Sequence, residues 1–174
     1  MSSKPKVIDE TGRPENDPKR HKIRSLVYEG VFVYTSETPI PSNATNVIID
    51  ASVTNIPEKA FFGHEWLETV NFGNYRDTPL VIGKEAFARC SNLKCLINTE
   101  NISGINDSAF IHCLNIEGTV NFGKKLFTIS KNAFGYCGRL DGISFSPRPP
   151  DLAGVKICEF AFWQCMNLQK IDNA

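Results

Sequence analysis

Six cysteines, three histidines and one glycine–lysine loop are the residues in this chain whose types could carry chemistry. Cys90, Cys95, Cys113, Cys137, Cys158 and Cys165 could bridge, hold a metal or act as nucleophiles. Structural zinc sites favour close cysteine pairs. The closest pairs here, Cys90/Cys95 and Cys158/Cys165, have four and six residues between them. That spacing favours buried free thiols and leaves one disulfide or a metal site as the other readings. The loop Gly118-Thr-Val-Asn-Phe-Gly123-Lys124-Lys125 matches G-x-x-x-x-G-K. It then has Lys125 where a phosphate loop needs a hydroxyl for Mg²⁺. Its interior Asn121-Phe122-Gly123 also copies Asn71-Phe72-Gly73, which reads as a strand and not a cradle. With only His21, His64 and His112, no Ser-His-Asp or Cys-His set is supported. The expectation is therefore no catalytic residue, no metal ligand, no cofactor and no enzyme.

The elements that would position these residues repeat. Ile56-Pro-Glu-Lys-Ala60-Phe61, Ile82-Gly-Lys-Glu-Ala86-Phe87, Ile105-Asn-Asp-Ser-Ala109-Phe110, Ile129-Ser-Lys-Asn-Ala133-Phe134 and Ile157-Cys-Glu-Phe-Ala161-Phe162 align, with Phe-to-Phe steps of 26, 23, 24 and 28 residues. Three residues after each Phe stand His64, Cys90, Cys113, Cys137 and Cys165, and three further on Leu67, Leu93, Ile116, Leu140 and Leu168. Val70, Leu96, Val120, Ile143 and Ile171 close the unit, and the third copy carries an extra residue, Gly118. A unit of this size cannot bury its own apolar face, but stacked copies can. Leu67-Glu-Thr-Val70-Asn-Phe72 alternates as a half-buried strand does, so successive strands should pair in parallel about 4.8 Å apart. The Ile-x-x-x-Ala-Phe segment should cross the opposite wall as a turn or helical turn. Five of the 12 Phe then form one ladder and four of the six Cys another.

The repeat resembles the BspA-like class of the leucine-rich repeat superfamily. Ser52-Val53-Thr54-Asn55-Ile56 matches the opening of that class's unit, and the five Ala-Phe…Cys segments match its middle. The resemblance implies a β-rich solenoid of about five stacked coils. It implies a parallel concave β-sheet, with short turns or helical turns on the convex side; separately, the β-branched and aromatic run Leu26–Tyr34, broken by Gly30, reads as an N-terminal β-hairpin cap. The resemblance also implies a non-catalytic scaffold for protein–protein interaction, with cell-surface adhesion or a structural role as the alternative. His64 in place of Cys, and Asn98 and Asn173 in place of Phe72 and Phe145, depart from the pattern.

Three segments follow. Residues 1–24 hold seven basic and four acidic residues and few apolar ones, a +3 tail expected to be disordered. Residues 25–45 supply capping strands and a loop, and 46–174 the solenoid; together these two segments carry net −3. A chain of zero net charge does not suit nucleic acid, and no apolar run is long enough to span a membrane. With no signal peptide visible, an intracellular, cytoplasmic location is expected, and a cell-surface one if the chain is a fragment.

A protein partner would find the strand residues pointing away from the core. These are Thr69, Asn71, Cys95, Ile97, Asn121, Asp141, Ser144, Lys170 and Asp172. Phe62 and Trp66, large where other copies are small, either pack beneath the cap or form a second contact surface. Phe160 and Trp163 raise the same alternatives in the last coil. That coil's strand, Leu168–Asp172, should be an open edge, which suggests either end-to-end self-association or a longer array of which this sequence is a fragment.

Overall fold

Each coil of the chain turns around its ladder phenylalanine. The computed structural model describes residues 31–73, 78–148 and 154–173. The basic tail 1–24 and the first part of the expected hairpin lie outside these residues, as do the prolines at 149 and 150 in the loop before the last coil.

Every strand pair is parallel. Four strands form one sheet in the order β1 (Val31–Tyr34), β2 (Asn46–Ile49), β4 (Thr69–Asn71) and β6 (Cys95–Ile97). A second sheet runs β8 (Gly118–Phe122), β10 (Leu140–Phe145) and β12 (Lys170–Asn173). Both belong to one side of the coil, the long-strand wall. A third, five-stranded sheet holds the residues that lead into each turn. It comprises β3 (Asn55–Ile56), β5 (Leu80–Ile82), β7 (Ile102–Ile105), β9 (Thr128–Ile129) and β11 (Lys156–Ile157). The solenoid thus has a second sheet where the sequence led us to expect turns alone.

The long-strand wall breaks between β6 and β8. Gly118, the extra residue of the third repeat, sits there at φ +75°. The bend at this extra residue lets Val120 and Phe122 keep facing inward, but β6 and β8 fall in separate sheets. The N–H of Glu117 still donates to the carbonyl of Lys94 at 3.2 Å, and pairing stops beyond it. A single 3-10 turn, Thr99–Asn101, fills the gap, and buried Thr99 donates its hydroxyl to the carbonyl of Asn121.

The cap is part of the same stack. β1 pairs with β2 in parallel and β2 with β4 in parallel, so both extend the long-strand wall by one spacing each. The described half of the expected hairpin is therefore a solenoid strand, because Phe32 and Tyr34 alternate inward like the strand residues after them. Tyr34 closes the ladder from above, its ring 5.1 Å from that of Phe61 and edge-on to it.

The core is a column of rings. Phe61, Phe87, Phe110 and Phe134 stack in parallel with centroids 4.8, 5.1 and 5.0 Å apart. Phe162 adds a fifth ring 5.6 Å from Phe134. Parallel rings at these separations are offset, which suits their quadrupoles. Phe72, Phe122 and Phe145 pack in from the strand ends. Each fully buried ring contributes about 1.5–3 kcal/mol of transfer free energy.

The turns that carry the ladder phenylalanines are tight, and no α-helix forms there among the described residues. Two residues per coil adopt the left-handed backbone. Two before the ladder Phe these are Lys59, Glu85, Ser108, Asn132 and Phe160. Two after it they are Gly63, Arg89, His112, Tyr136 and Gln164. Only one of the ten is glycine, yet none is Val, Ile or Thr, the residues a left-handed backbone tolerates least.

Candidate functional site

The outward positions of the long-strand wall fall into two rows. One runs Val33, Ile48, Asn71 and Ile97 across β1, β2, β4 and β6. Past the break it resumes as Asn121, Ser144 and Asp172. The other runs Val31, Asn46, Thr69 and Cys95, then Thr119, Gly142 and Lys170. Thr69, Asn71, Ile97, Asn121, Ser144, Lys170 and Asp172 therefore share one wall, but in two unlike halves. The first half exposes Ile48 and Ile97, 37% and 41% accessible, on either side of Asn71. The second half is polar, with Lys170 and Asp172 paired at 2.7 Å on the surface.

The polar residues of this wall also tie coils together. Asn71 Oδ1 accepts from the N–H of Gly73 at 2.9 Å and from Asn98 Nδ2 at 2.7 Å. Asn98 holds a left-handed backbone at φ 59°, a conformation that asparagine accepts and phenylalanine resists, which accounts for its departure from the repeat. Ser144 and Asn121 share a hydrogen bond between their side chains. These groups offer a partner only what is left after the inter-coil bonds. Ile48 was not among the sequence candidates, because β2 precedes the first Ala-Phe unit and its pairing with β4 becomes visible only in the fold.

The described cap strands β1 and β2 leave Phe62 and Trp66 exposed. They are 42% and 64% exposed, and the Arg89 guanidinium lies over the Phe62 ring at 6.0 Å. Phe160 and Trp163 are likewise exposed and meet edge to face at 5.4 Å. A shallow groove on the turn side is lined by Glu65, Arg89, Ser91, His112 and Leu114. His112 stacks on Tyr136 there at 4.5 Å, one coil above the next, so its role is packing between coils.

The cysteine ladder has a polar task beyond filling space. Cys90 Sγ donates to the carbonyl of Phe61 at 3.0 Å, and Cys113 to that of Phe87 at 3.0 Å. Cys137 donates to Phe110 at 3.3 Å and Cys165 to Phe134 at 3.0 Å. Each thiol thus adds a second, inter-coil bond to a carbonyl that already accepts a backbone N–H within its own turn, as Phe61 does from His64 at 3.2 Å. The first coil has no ladder Phe before it, and there the position is free to be His64. A parallel ladder of asparagines does the same nearby: Asn92 Nδ2 donates to the carbonyl of Glu65 and Asn115 Nδ2 to that of Ser91, both at 2.8 Å. Trp66 stands at the equivalent place in the first coil, which again has no earlier copy to bond.

All six cysteines are free. Burial first, and then the neighbouring thiols, push Cys113 and Cys137 well above the ordinary 9.0. Burial pushes Cys165 up to about 11. The thiolate is the reactive species, so iodoacetamide at pH 8 should label Cys95 and Cys158 and spare the ladder. Labelling of Cys165 should rise only as the pH nears 11. Because its folded-state value is raised, its contribution to stability is complete below pH 9 and lost as the pH climbs through 11. Mass mapping of the labelled sites checks the order; early labelling of Cys113 would contradict it.

Among the described residues, no three of His, Cys, Asp or Glu are grouped to hold a metal ion. Gly118 to Phe122 of the phosphate-loop lookalike is strand β8, so no cradle of N–H groups exists there. No helix among the described residues is long and apolar enough to cross a membrane.

Stacked parallel coils, one ring per coil and an open sheet face define a leucine-rich-repeat solenoid, a class of scaffolds for protein interaction or surface display that are typically non-catalytic. The sequence matches the family described as "BspA type Leucine rich repeat region" in six copies, over residues 41–152 and 74–173. The chain belongs to that family. Among solved structures it resembles the leucine-rich repeat protein of T. pallidum, with a TM-score of 0.62 and 20% identity over 81% of this chain and 62% of that one. It also resembles a leucine-rich cell surface protein from Faecalibacterium prausnitzii A2-165, with a TM-score of 0.52 and 25% identity over 73% of this chain and 38% of that one. The chain thus spans less than two thirds of either structure. No curated protein matches it.

Proposed function

We propose that the chain binds a protein partner on the first half of the long-strand wall, centred on Ile48, Asn71 and Ile97. The observation that carries this reading is the register. Two exposed isoleucines flank a partly satisfied amide on three adjacent strands, a rigid apolar patch with one polar anchor. Thr69, Asn121, Ser144, Lys170 and Asp172 form its polar surroundings. The partner is proposed to be neither nucleic acid nor membrane, and no cofactor takes part.

Affinity capture with the purified chain, followed by Ile48→Asp with Ile97→Asp, tests this. Both side chains are partly exposed, so the variant should still unfold cooperatively, with a modestly lower midpoint, while capture is lost. Triple substitution of Asn121, Ser144 and Lys170 should weaken capture less. If the isoleucine variant binds as before and Trp66→Ala with Phe62→Ala does not, the site is the aromatic rim of the first coil and the wall proposal is wrong.

A surface adhesion role on the same scaffold is the second reading, and the likeness to a cell surface protein supports it. An intracellular role rests on the free thiols, which persist in reducing compartments. Locating the tagged native protein separates the two.

A further inference from the structure

One row of the long-strand wall alternates in character. Ile48, Asn71 and Ile97 follow one another along it, and past the break comes Asn121, so an apolar side chain and an amide take turns. The Asn71 amide has a fixed orientation. The N–H of Gly73 can only donate, so the atom it meets at 2.9 Å is Asn71 Oδ1, and Asn98 Nδ2 donates to the same oxygen at 2.7 Å. The acceptor side of the amide is therefore spent. Among the described residues, no acceptor takes the two N–H bonds of its Nδ2. Asn121 is built alike. Its Oδ1 accepts from the Ser144 hydroxyl, and its Nδ2 donates to the Thr119 carbonyl at 3.5 Å, which leaves one N–H over. The two amides thus offer a partner donors.

No residue pointing outward from β1, β2, β4 or β6 is charged. A charged group of a partner would lose its water there with nothing to compensate it. Adjacent strands stand about 4.8 Å apart, so Ile48 and Ile97 repeat at about 9.6 Å with Asn71 midway. Three kinds of segment could lie along the row. A β-strand repeats one face about every 6.8 Å, and it brings N–H groups that would meet donors. An α-helix turns about every 5.4 Å, but its carbonyls are already bonded within the helix. A polyproline II segment rises about 3.1 Å per residue with three residues per turn, so one face recurs about every 9.3 Å. Its carbonyls are unbonded, and a proline in it has no N–H to oppose the wall.

We propose that this row binds an uncharged, proline-rich segment of a partner protein, laid across the strands in the polyproline II conformation. The proposal rests on the wall reading above and names the chemistry of the partner. Residues three apart in the segment pack their rings on Ile48 and Ile97. A carbonyl between them accepts from Asn71 Nδ2, and one a turn further on accepts from Asn121 Nδ2. The segment arrives with its backbone already extended, so binding orders little chain. Asn98, which departs from the phenylalanine of the repeat, acquires a task in this arrangement. With Gly73 it holds the Asn71 oxygen, and so it keeps the amide donors turned to the partner.

The probe is a polyproline peptide of about ten residues, capped at both ends and three turns long. It is titrated into the isotope-labelled full chain and followed by NMR. Resonances of Ile48, Ile97 and the Asn71 side-chain amide should shift. Asn71→Asp keeps the oxygen that Gly73 and Asn98 bond and puts a carboxylate oxygen where the donor was. Its spectrum should stay that of the folded chain, and it should bind the peptide about tenfold more weakly or worse. Equal affinity of the two chains overturns the proposal. So do shifts centred on Phe62 and Trp66, which would put the peptide on the aromatic rim, and tighter binding of an uncharged amphipathic helical peptide. No binding of polyproline, while Ile48→Asp with Ile97→Asp still abolishes capture, overturns the partner class and leaves the wall reading standing. Capture that survives the isoleucine variant removes both.

Discussion

Phe110→Ala should lower the stability of the chain by about 3–5 kcal/mol. Its ring is fully buried and stacked on both faces, 5.1 Å from Phe87 and 5.0 Å from Phe134. Truncation leaves a cavity in the middle of the column, walled by backbone that the inter-coil bonds at Ala109 and Ala133 hold apart. Those bonds prevent the coils from closing over the gap, which places the cost at the full cavity value. Phe162→Ala provides the comparison. That ring stacks on one side only and is partly exposed. Its loss should cost about 1–2 kcal/mol, within the range for partial burial. Urea unfolding followed by circular dichroism measures both. Equal midpoints for the two variants would mean that the column does not stabilise by stacking from both sides. Since domains of this size are typically stable by about 5–15 kcal/mol, Phe110→Ala can remove a third or more of the total.

The second large effect is expected at Gly123. A Cβ there would lie 2.0 Å from the carbonyl oxygen of Glu100, with the Glu100 carbonyl carbon at 2.8 Å. Backbone cannot swing aside as a side chain does, so Gly123→Ala must displace the 3-10 turn at Thr99–Asn101. The cost should reach about 3 kcal/mol, the upper end for overpacking. Gly104→Ala is the control. Its nearest contacts would be Thr128 Cγ2 at 3.8 Å and Val81 Cγ1 at 3.9 Å, ordinary packing distances. Alanine there should stabilise by about 0.4–1 kcal/mol through the unfolded chain. Two glycines one coil apart should thus shift the midpoint in opposite directions. A neutral Gly123→Ala would show that the coils do not approach this closely in solution. The same measurement explains the phosphate-loop lookalike: its second glycine is there for the passage of a neighbouring backbone.

What could be read from the sequence was whatever repeated. Phe61, Phe87, Phe110, Phe134 and Phe162 recur in the same company, so their ladder and the parallel strands after it were legible. So was the inserted Gly118, because it broke a spacing kept elsewhere. The strand β2 was not, because Asn46–Ile49 precedes the first Ala-Phe unit and has only four residues to speak for it. The left-handed rows were hidden by their variety. Lys, Glu, Ser, Asn and Phe share one row, and only the absence of β-branched residues marks it. The thiol-to-carbonyl bonds were out of reach for a different reason. Spacing puts Cys90 near the previous coil, but which atom it faces depends on the turn geometry. The candidate site was half legible. The outward residues were identified from alternation, whereas their internal bonds, as between Asn71 and Asn98, need the neighbouring coil in place.

The interruption between β6 and β8 gives the solenoid uneven stiffness. On the short-strand side, β5, β7 and β9 cross that level without a gap. The turn side crosses it too, through Glu85, Phe87 and Arg89 bonded to Asp107, Ala109 and Ile111. Two walls therefore act as a leaf spring, and the third has a slot. Bending that opens the slot strains few bonds, whereas bending in the perpendicular direction strains a continuous sheet. Pulled along its length, the molecule should yield first at Gly118, separating two blocks that each keep their own rings stacked.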